Sequence, residues 1–124
     1  MASRYGITDA QWQSAIAEAT VILRDCARSQ PGTITYSDLA TQLSSITIQP
    51  HDLAMDFLLE QISREEHAAC RPLLSVIVVH KGGDMSPGSG FYDLARELGF
   101  NVSDRVAFWC SEFQRVTDYW RSHP

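Results

Sequence analysis

The stretch HKGGDMSPGSGF, residues 80–91, holds the residues with the clearest potential for chemistry. It follows an apolar run and precedes a helical pattern, and a glycine loop between a strand and a helix can bind phosphate through backbone amides. A Walker loop needs a lysine and a serine or threonine directly after its last glycine, but Ser89 and Gly90 follow Gly88. A dinucleotide motif needs a third glycine where Asp93 stands. The loop is therefore predicted to be a wing or turn, with Ser89 capping the next helix.

A nucleotide-handling enzyme that uses this loop is kept as the weaker alternative. Lys81 is the only cation close to the loop, and His80 and Asp84 could form an acid–base pair. The simpler interpretation of His80 is the polar end of a strand. The candidate ligand-binding residues of the loop are His80, Lys81, Asp84, Gly88, Ser89 and Gly90.

The spacing of cysteine, histidine and serine predicts neither a metal site nor a nucleophile. His67 and Cys70 are spaced like zinc ligands, but the sequence has no second pair with such spacing. The three cysteines, which include Cys26 and Cys110, are predicted to be buried thiols that pack as small hydrophobic side chains. Ser75 is predicted in the middle of a buried strand, whereas a nucleophilic serine occupies an exposed, sharp turn. No catalytic residue, metal or cofactor is predicted, and a non-enzymatic protein is favoured.

Composition and charge describe one globular domain over residues 1–124. The chain is 44% hydrophobic and 20% charged, and its net charge is −5. No N-terminal stretch combines a basic and an apolar region, as a secretory signal would. The longest apolar run, residues 73–79, is far too short to span a bilayer. We therefore expect a cytoplasmic protein that does not enter the membrane.

Hydrophobic periodicity and capping residues predict a mostly helical α+β fold. Thr8 and Gln11 form a capping box, Thr35 and Asp38 form a capping pair, and Gly99 is placed to end a helix in the left-handed conformation. Residues 44–49 alternate polar and apolar side chains and could be a short strand or a loop. The predicted elements are helices at 8–30, from 35, at 50–67, 91–98 and 103–121, and a buried strand at 72–80.

Two of these helices carry expectations about which side chains face inward. In the helix at 50–67, Pro50 is expected in the first turn and Leu53 among the buried apolar residues. The remaining stripe is predicted to be a solvated acidic edge. Val106 is expected on the broad apolar face of the last helix. The residues of the acidic edge are Asp52, Asp56, Glu60 and Arg64.

The order of elements resembles the winged-helix domain of the O6-alkylguanine-DNA alkyltransferase-like family. In that family a glycine-rich turn and a threonine-tyrosine pair open a helix-turn-helix, as PGTITYSDLATQL does at residues 31–43. A proline-cysteine-histidine-arginine motif then begins the strand beneath the wing. Pro72 matches that proline, but Leu73, Leu74 and Ser75 replace the other three residues. The resemblance therefore implies a winged-helix-like fold without the alkyl-accepting cysteine and without its chemistry.

A second stretch, RPLLSVIVVHKGGDMSPGSGFYDLARELG, resembles a pattern that recurs in uncharacterised bacterial proteins. This likeness implies a bacterial-type origin and no activity. A DNA-binding regulator, or a repair-related protein of the alkyltransferase-like kind, is the alternative that the first resemblance raises. The predicted recognition helix begins with Asp52 and Asp56, and each carboxylate opposes the attraction to phosphate on which DNA affinity depends. The acidic charge therefore disfavours nucleic acid.

Aromatic residues of the last helix favour binding to another protein, which is the leading hypothesis. Phe108 and Tyr119 are predicted on the flank of the apolar face, beside Trp120. Exposed aromatic side chains next to an apolar stripe suit a protein interface. The partner would be a different protein or a second copy of this chain. The alternative interpretation is that these rings complete the core of a small domain.

Overall fold

The structure is a computed structural model that describes residues 3–30, 32–50, 52–80 and 87–123. It is α+β and mostly helical, as the sequence predicts. Strands β1 and β2 pair antiparallel, and β3 and β4 pair parallel with Ile34 opposite Val78. The elements are β1 (Ser3–Arg4), β2 (Ile7–Thr8), α1 (Asp9–Arg28), β3 (Ile34–Thr35), α2 (Tyr36–Gln42), α3 (Leu53–Ala68), a 3-10 helix (Leu74–Ile77), β4 (Val78–Val79), α4 (Ser89–Glu97) and α5 (Arg105–Arg121).

Helix α1 lies at the centre of the packing and contacts α3, α5 and the 3-10 helix. The apolar side chains of these elements meet in a continuous hydrophobic cluster. Burial of this apolar surface is the main force that stabilises the fold. Large side chains that are completely buried include Leu23, Leu39, Met55, Leu58, Leu74 and Ile77.

The predicted helix caps are confirmed at three helices. The Thr8 hydroxyl accepts from the backbone of Gln11, whose side chain accepts from the Thr8 amide in return. The Thr35 hydroxyl accepts from the Asp38 amide at the start of α2. Gly99 has a φ of +99° and follows α4, while the amide of Phe100 donates to the carbonyl of Ala95 at 2.9 Å, as in a Schellman motif. These local patterns fix where the helices begin and end.

The predicted strand at 72–80 is wrong in form, although its burial is confirmed. Only Val78–Val79 pairs with another strand, and Leu74–Ile77 forms a 3-10 helix. The partner strand β3 has two residues, so the preceding backbone groups must find other partners. The amide of Val76 donates to the carbonyl of Leu73, and the amide of Ser75 donates to the hydroxyl of Ser63. The 3-10 helix gives the backbone groups of this buried segment hydrogen-bond partners where no strand is available for pairing.

Three expectations at helix starts are also wrong. Pro50 lies in a turn before α3, which begins at Leu53 with Asp52 as its N-cap. Leu53 is 67% exposed, because it shares the outer face of α3 with Asp56, three residues later. Val106 is 73% exposed, because it lies in the first turn of α5, whereas the buried residues of this helix begin at Glu112.

The segment at 44–49, which the sequence leaves open, is a loop. Its start is fixed to α1, because the amides and hydroxyls of Ser44 and Ser45 all donate to the carboxylate of Glu18 at 2.6–3.0 Å. These hydrogen bonds, with that of the Ser44 hydroxyl the strongest, lower the pKa of Glu18 from 4.5 to about 2. A surface carboxylate therefore positions the start of the connection between α2 and α3.

Protonation of Glu18 is expected to weaken the fold at acid pH. Because its pKa is lower in the folded than in the unfolded state, its stabilising contribution is complete above pH 4.5 and is lost as the pH falls towards about 2. Glu18→Gln should therefore flatten the fall in urea midpoint across this window. Solvent screening keeps the effect modest, since Glu18 is only partly buried. Glu65→Gln is the control for loss of a charge, and an acid limb that is equally steep in wild type and Glu18→Gln would contradict the prediction.

Candidate functional site

A cleft lies where the start of α2, one face of α3 and the start of α4 meet. We call it the acidic cleft. It has an empty volume of about 420 Å³ and opens to solvent. Its walls combine aromatic rings, aliphatic side chains and two carboxylates, which suits a small polar or charged group rather than a purely apolar one. The lining residues are Tyr36, Asp56, Leu59, Glu60, Ser75, Gly90, Phe91 and Leu94.

Tyr36 ties together the elements that border the acidic cleft. It is the first residue of α2, directly after the Thr35 cap, and its side chain is buried. Its hydroxyl oxygen accepts from the amide of Gly88 at 3.0 Å. Its ring stacks on the ring of His80, with centroids 4.9 Å apart and planes at 30°. One side chain therefore holds the end of β4 and the residue before α4 beside α2.

The Tyr36 phenol is kept neutral by its surroundings. Burial raises its pKa, the amide of Gly88 opposes the rise, and the charge of Asp56 adds to it. Within the described residues, the hydroxyl accepts a hydrogen bond but has no acceptor for its own proton. The phenol therefore keeps a donor for a group that enters the cleft.

Asp56 and Glu60 lie one helical turn apart on α3 and give the cleft its negative charge. Glu60 is engaged by Arg64, which also contacts Glu97. Asp56 has no ion-pair partner in the part of the chain that the structure describes. Partial burial raises its pKa, and the nearby His80 opposes that rise. The Asp56 carboxylate is thus partly desolvated without a cation in contact, which is an unfavourable state that a positive charge would relieve.

Ser75 at the back of the cleft is not placed as a nucleophile. Its hydroxyl lies 2.6 Å from the hydroxyl of Ser63, and both residues are buried. No histidine or carboxylate contacts either hydroxyl within the described chain, so neither has a base to activate it. The two serines satisfy each other and hold the 3-10 helix against α3.

The glycine-loop candidates are only partly brought together. Gly88 is the N-cap of α4 with a φ of −70°, and Gly90 lines the acidic cleft. The expected cap from Ser89 is wrong: Ser89 is the first residue of α4, and no side chain caps this helix in the described structure. His80 is exposed and stacked on Tyr36. Lys81 and Asp84 lie outside the described residues, and the pairing of His80 with Asp84 stays a prediction.

The aromatic candidates of α5 are covered to different degrees. Trp120 is buried beneath the guanidinium of Arg24, which lies 4.5 Å from the ring centroid, so it cannot present its ring to a partner. Phe108 is half-buried and packs on Phe91 and Phe100. Tyr119 is half-buried and stacks on His123 with centroids 4.0 Å apart. These rings extend the core, and only Phe108 and Tyr119 keep part of their surface in water.

The expectation of buried thiols is wrong for two of the three cysteines. Cys70 and Cys110 are exposed and Cys26 is half-buried, and all three are free. Cys70 follows the end of α3 with a φ of +63°, so its position on the surface is set by the helix terminus. Among the described residues, no group of histidine, cysteine or carboxylate side chains could hold a metal ion.

Sequence reasoning missed Tyr36, Asp56 and Phe91 as members of one site. They come from α2, α3 and α4, and no spacing in the chain brings them together. The Thr35 cap places Tyr36 at the start of a helix, but the partner that its hydroxyl finds is more than fifty residues away. The one usable signal was the glycine stretch, of which Gly90 lines the cleft and Gly88 donates its amide to Tyr36.

No protein-family model matches the chain, and comparison with curated proteins and with solved structures found no match. None of the described helices is long and apolar enough to cross a membrane.

Proposed function

We propose that this protein is a cytoplasmic, non-enzymatic binding module whose acidic cleft receives a cationic side chain, lysine or arginine, from a protein partner. The observation that carries the proposal is Asp56, a partly desolvated carboxylate at the cleft that no cation of the described residues contacts. A positive charge in the cleft would offset the cost of that desolvation.

The other walls of the cleft favour the same ligand. Tyr36 and Phe91 line the cleft with aromatic rings, and ammonium and guanidinium groups are attracted to such rings. Leu59 and Leu94 suit the aliphatic stem of such a side chain. The proton of the Tyr36 hydroxyl, which has no acceptor among the described residues, can donate to a carbonyl of the partner's backbone. A cation alone would leave that donor unused, so a residue within a peptide suits the cleft better than a free metal ion.

Enzymatic use of the cleft has less support. Within the described chain no side chain hydrogen bonds to His80, and none of the cleft hydroxyls contacts a general base. A nucleophile and its base would need to lie within hydrogen-bond reach of each other. Binding without chemistry is the simpler function for these groups.

The DNA-binding alternative, with its winged-helix-like architecture, rests on the succession of α2 and α3. Residues 43–52 separate these helices, whereas the turn of a helix-turn-helix has three or four residues. The outer face of α3, which would meet the major groove, presents Asp56 and Glu60 beside Leu53. Negative charge there opposes binding to phosphate. We therefore rank DNA binding below protein binding.

A peptide titration tests the cleft. Acetyl-Gly-Arg-Gly-amide is expected to shift the amide resonances of Gly90 and Phe91 saturably, and the same peptide with neutral citrulline should not. Asp56→Asn should weaken binding about tenfold, because it removes the partly desolvated charge. Asp93→Asn removes an exposed carboxylate of α4 that does not line the cleft and should leave the affinity unchanged.

Three outcomes would count against the proposal. Equal shifts with arginine and citrulline would mean that charge is not recognised. Equal losses in the Asp56 and Asp93 variants would mean that only the net charge matters. Displacement of the peptide by a random-sequence DNA duplex, in a salt-dependent manner, would favour the DNA-binding alternative.

A further inference from the structure

A second concave surface lies between the loop at 44–49 and the N-terminal hairpin, and we call it the hairpin groove. It is open, with an empty volume of about 1150 Å³. One wall is the loop, the other is the turn of the hairpin with β2, and the first turn of α3 also contributes. The lining residues are Tyr5, Gly6, Ile7, Gln11, Ile46, Thr47, Ile48, Asp52, Leu53 and Ala54.

The loop wall has the side-chain pattern of a strand without a strand partner. Ile46 and Ile48 are buried, while Thr47 and Gln49 between and after them are exposed. Both ends are fixed, since Ser45 donates to Glu18 and the amide of Gln49 donates to Asp52 at 2.9 Å. In the described structure, the backbone groups of residues 46–48 make no hydrogen bond. A held, alternating segment with unpaired amides and carbonyls is the edge to which an added strand can pair.

The opposite wall exposes the aromatic residue Tyr5, whose backbone has an unfavourable conformation. Tyr5 and Gly6 form the two-residue turn of the hairpin, with φ of +58° and +74°. The left-handed region suits Gly6 but costs energy for a tyrosine. The ring of Tyr5 nevertheless stays 50% exposed, at centroid distances of 6.5 Å from Trp12 and 6.1 Å from Phe57. Strain of this kind is concentrated at sites of function.

Exposed apolar surface on α3 completes the groove. Leu53 lines it with two-thirds of its surface in water. Large apolar side chains left in water beside a concave surface are typical of binding sites. Tyr5 and Leu53 together offer contacts for two side chains of an extended ligand.

We propose that an extended segment of a partner protein lies in the hairpin groove and pairs its backbone with residues 46–48. The segment would carry apolar side chains at alternate positions, since side chains two residues apart share one face of a strand. It would be neutral or basic, because Asp52 is the charged residue among the lining residues and this chain has a net charge of −5. That same charge opposes a second copy of the chain as the occupant.

Titration with synthetic strands tests this assignment. Acetyl-Lys-Val-Thr-Val-Thr-Lys-amide is expected to shift the amide resonances of residues 46–48 and to slow the hydrogen exchange of the Thr47 amide. The same peptide with both valine nitrogens methylated lacks donors for pairing and should bind at least about tenfold more weakly. Leu53→Ser should weaken the binding of the unmodified peptide about tenfold, since it removes apolar surface that the bound strand would cover.

Val106→Ser is the matched control, because Val106 is also an exposed apolar residue in the first turn of a helix and lies outside the groove. It should leave the affinity unchanged. Unmoved resonances at 46–48, equal binding of the methylated peptide, or equal losses in the two serine variants would overturn the assignment. So would a concentration-dependent dimer whose formation protects the Thr47 amide, which would make a second copy the occupant. Asp56→Asn should not affect this peptide, so the outcome is separate from that of the acidic cleft.

Discussion

Replacement of Glu66 by alanine is expected to lower the free energy of unfolding by about 3–5 kcal/mol, because it breaks a buried ionic cluster. Glu66 is 2% exposed, and each of its carboxylate oxygens receives a guanidinium. The Nη2 atom of Arg24 lies 2.6 Å from one oxygen, and the Nε atom of Arg71 lies 2.9 Å from the other. The variant would leave both arginines partly buried without their counter-charge.

Urea denaturation of matched variants measures this effect. Glu65 is the preceding residue of α3 and is exposed, so Glu65→Ala should change the free energy of unfolding by less than about 0.5 kcal/mol. Arg24 has a further reason to need the carboxylate, since its Nε atom is buried without a hydrogen-bond partner in the structure. Similar urea midpoints for the Glu65 and Glu66 variants would show that the cluster contributes little.

The outline of the fold could be predicted wherever short-range patterns decide it. The Thr8 capping box, the Thr35 cap and the Gly99 terminus each depend on residues within one or two turns, and all three are present. The buried apolar run at 72–79 was also recognisable, because burial follows from composition alone. The secondary structure of this run was not predictable, since the choice between a strand and a 3-10 helix depends on how long a partner strand exists elsewhere in the chain.

Side chains that act over long distances could not be predicted in the same way. Glu66 and Glu112 are acids within amphipathic helices, a pattern typical of a solvated face, yet both are buried. Their burial depends on partners such as Arg24 and the amide of Leu73, which lie about forty residues away along the chain. The error at Val106 has a different origin, because helical spacing indicates the face on which a residue lies but not that the buried part of α5 begins only at Glu112.

The acidic cleft shows the same division between local and distant information. The sequence indicates that the glycine stretch borders a helix start, and Gly90 does line the cleft. It does not indicate that Tyr36 reaches Gly88 or that Asp56 of the expected solvated edge turns partly towards this cavity. A site assembled from three helices requires their packing, which the order of residues alone does not give.

Replacement of Glu112 by alanine is expected to lower the free energy of unfolding by about 3 kcal/mol, because a buried amide then loses its charged acceptor. Glu112 is 1% exposed, and its Oε2 atom accepts from the backbone amide of Leu73 at 2.8 Å. Leu73 is itself completely buried, so neither water nor another described residue can replace the carboxylate. This hydrogen bond fixes the start of the 3-10 helix to α5.

Two further variants separate this bond from the ion pair between Glu112 and Arg115. Glu112→Gln keeps an oxygen that can accept from Leu73 and should cost only about 1 kcal/mol, the typical net value of a neutral hydrogen bond. Arg115→Ala keeps the bond to Leu73 but leaves the buried Glu112 carboxylate without its counter-charge, so it should cost about 1–3 kcal/mol although half of the Arg115 side chain is in water. Urea denaturation gives the free energy of unfolding of the three variants. Amide exchange at Leu73 should accelerate in Glu112→Ala alone. If amide exchange at Leu73 accelerated as much in Arg115→Ala as in Glu112→Ala, the ion pair rather than the bond to the 3-10 helix would hold α5 in place.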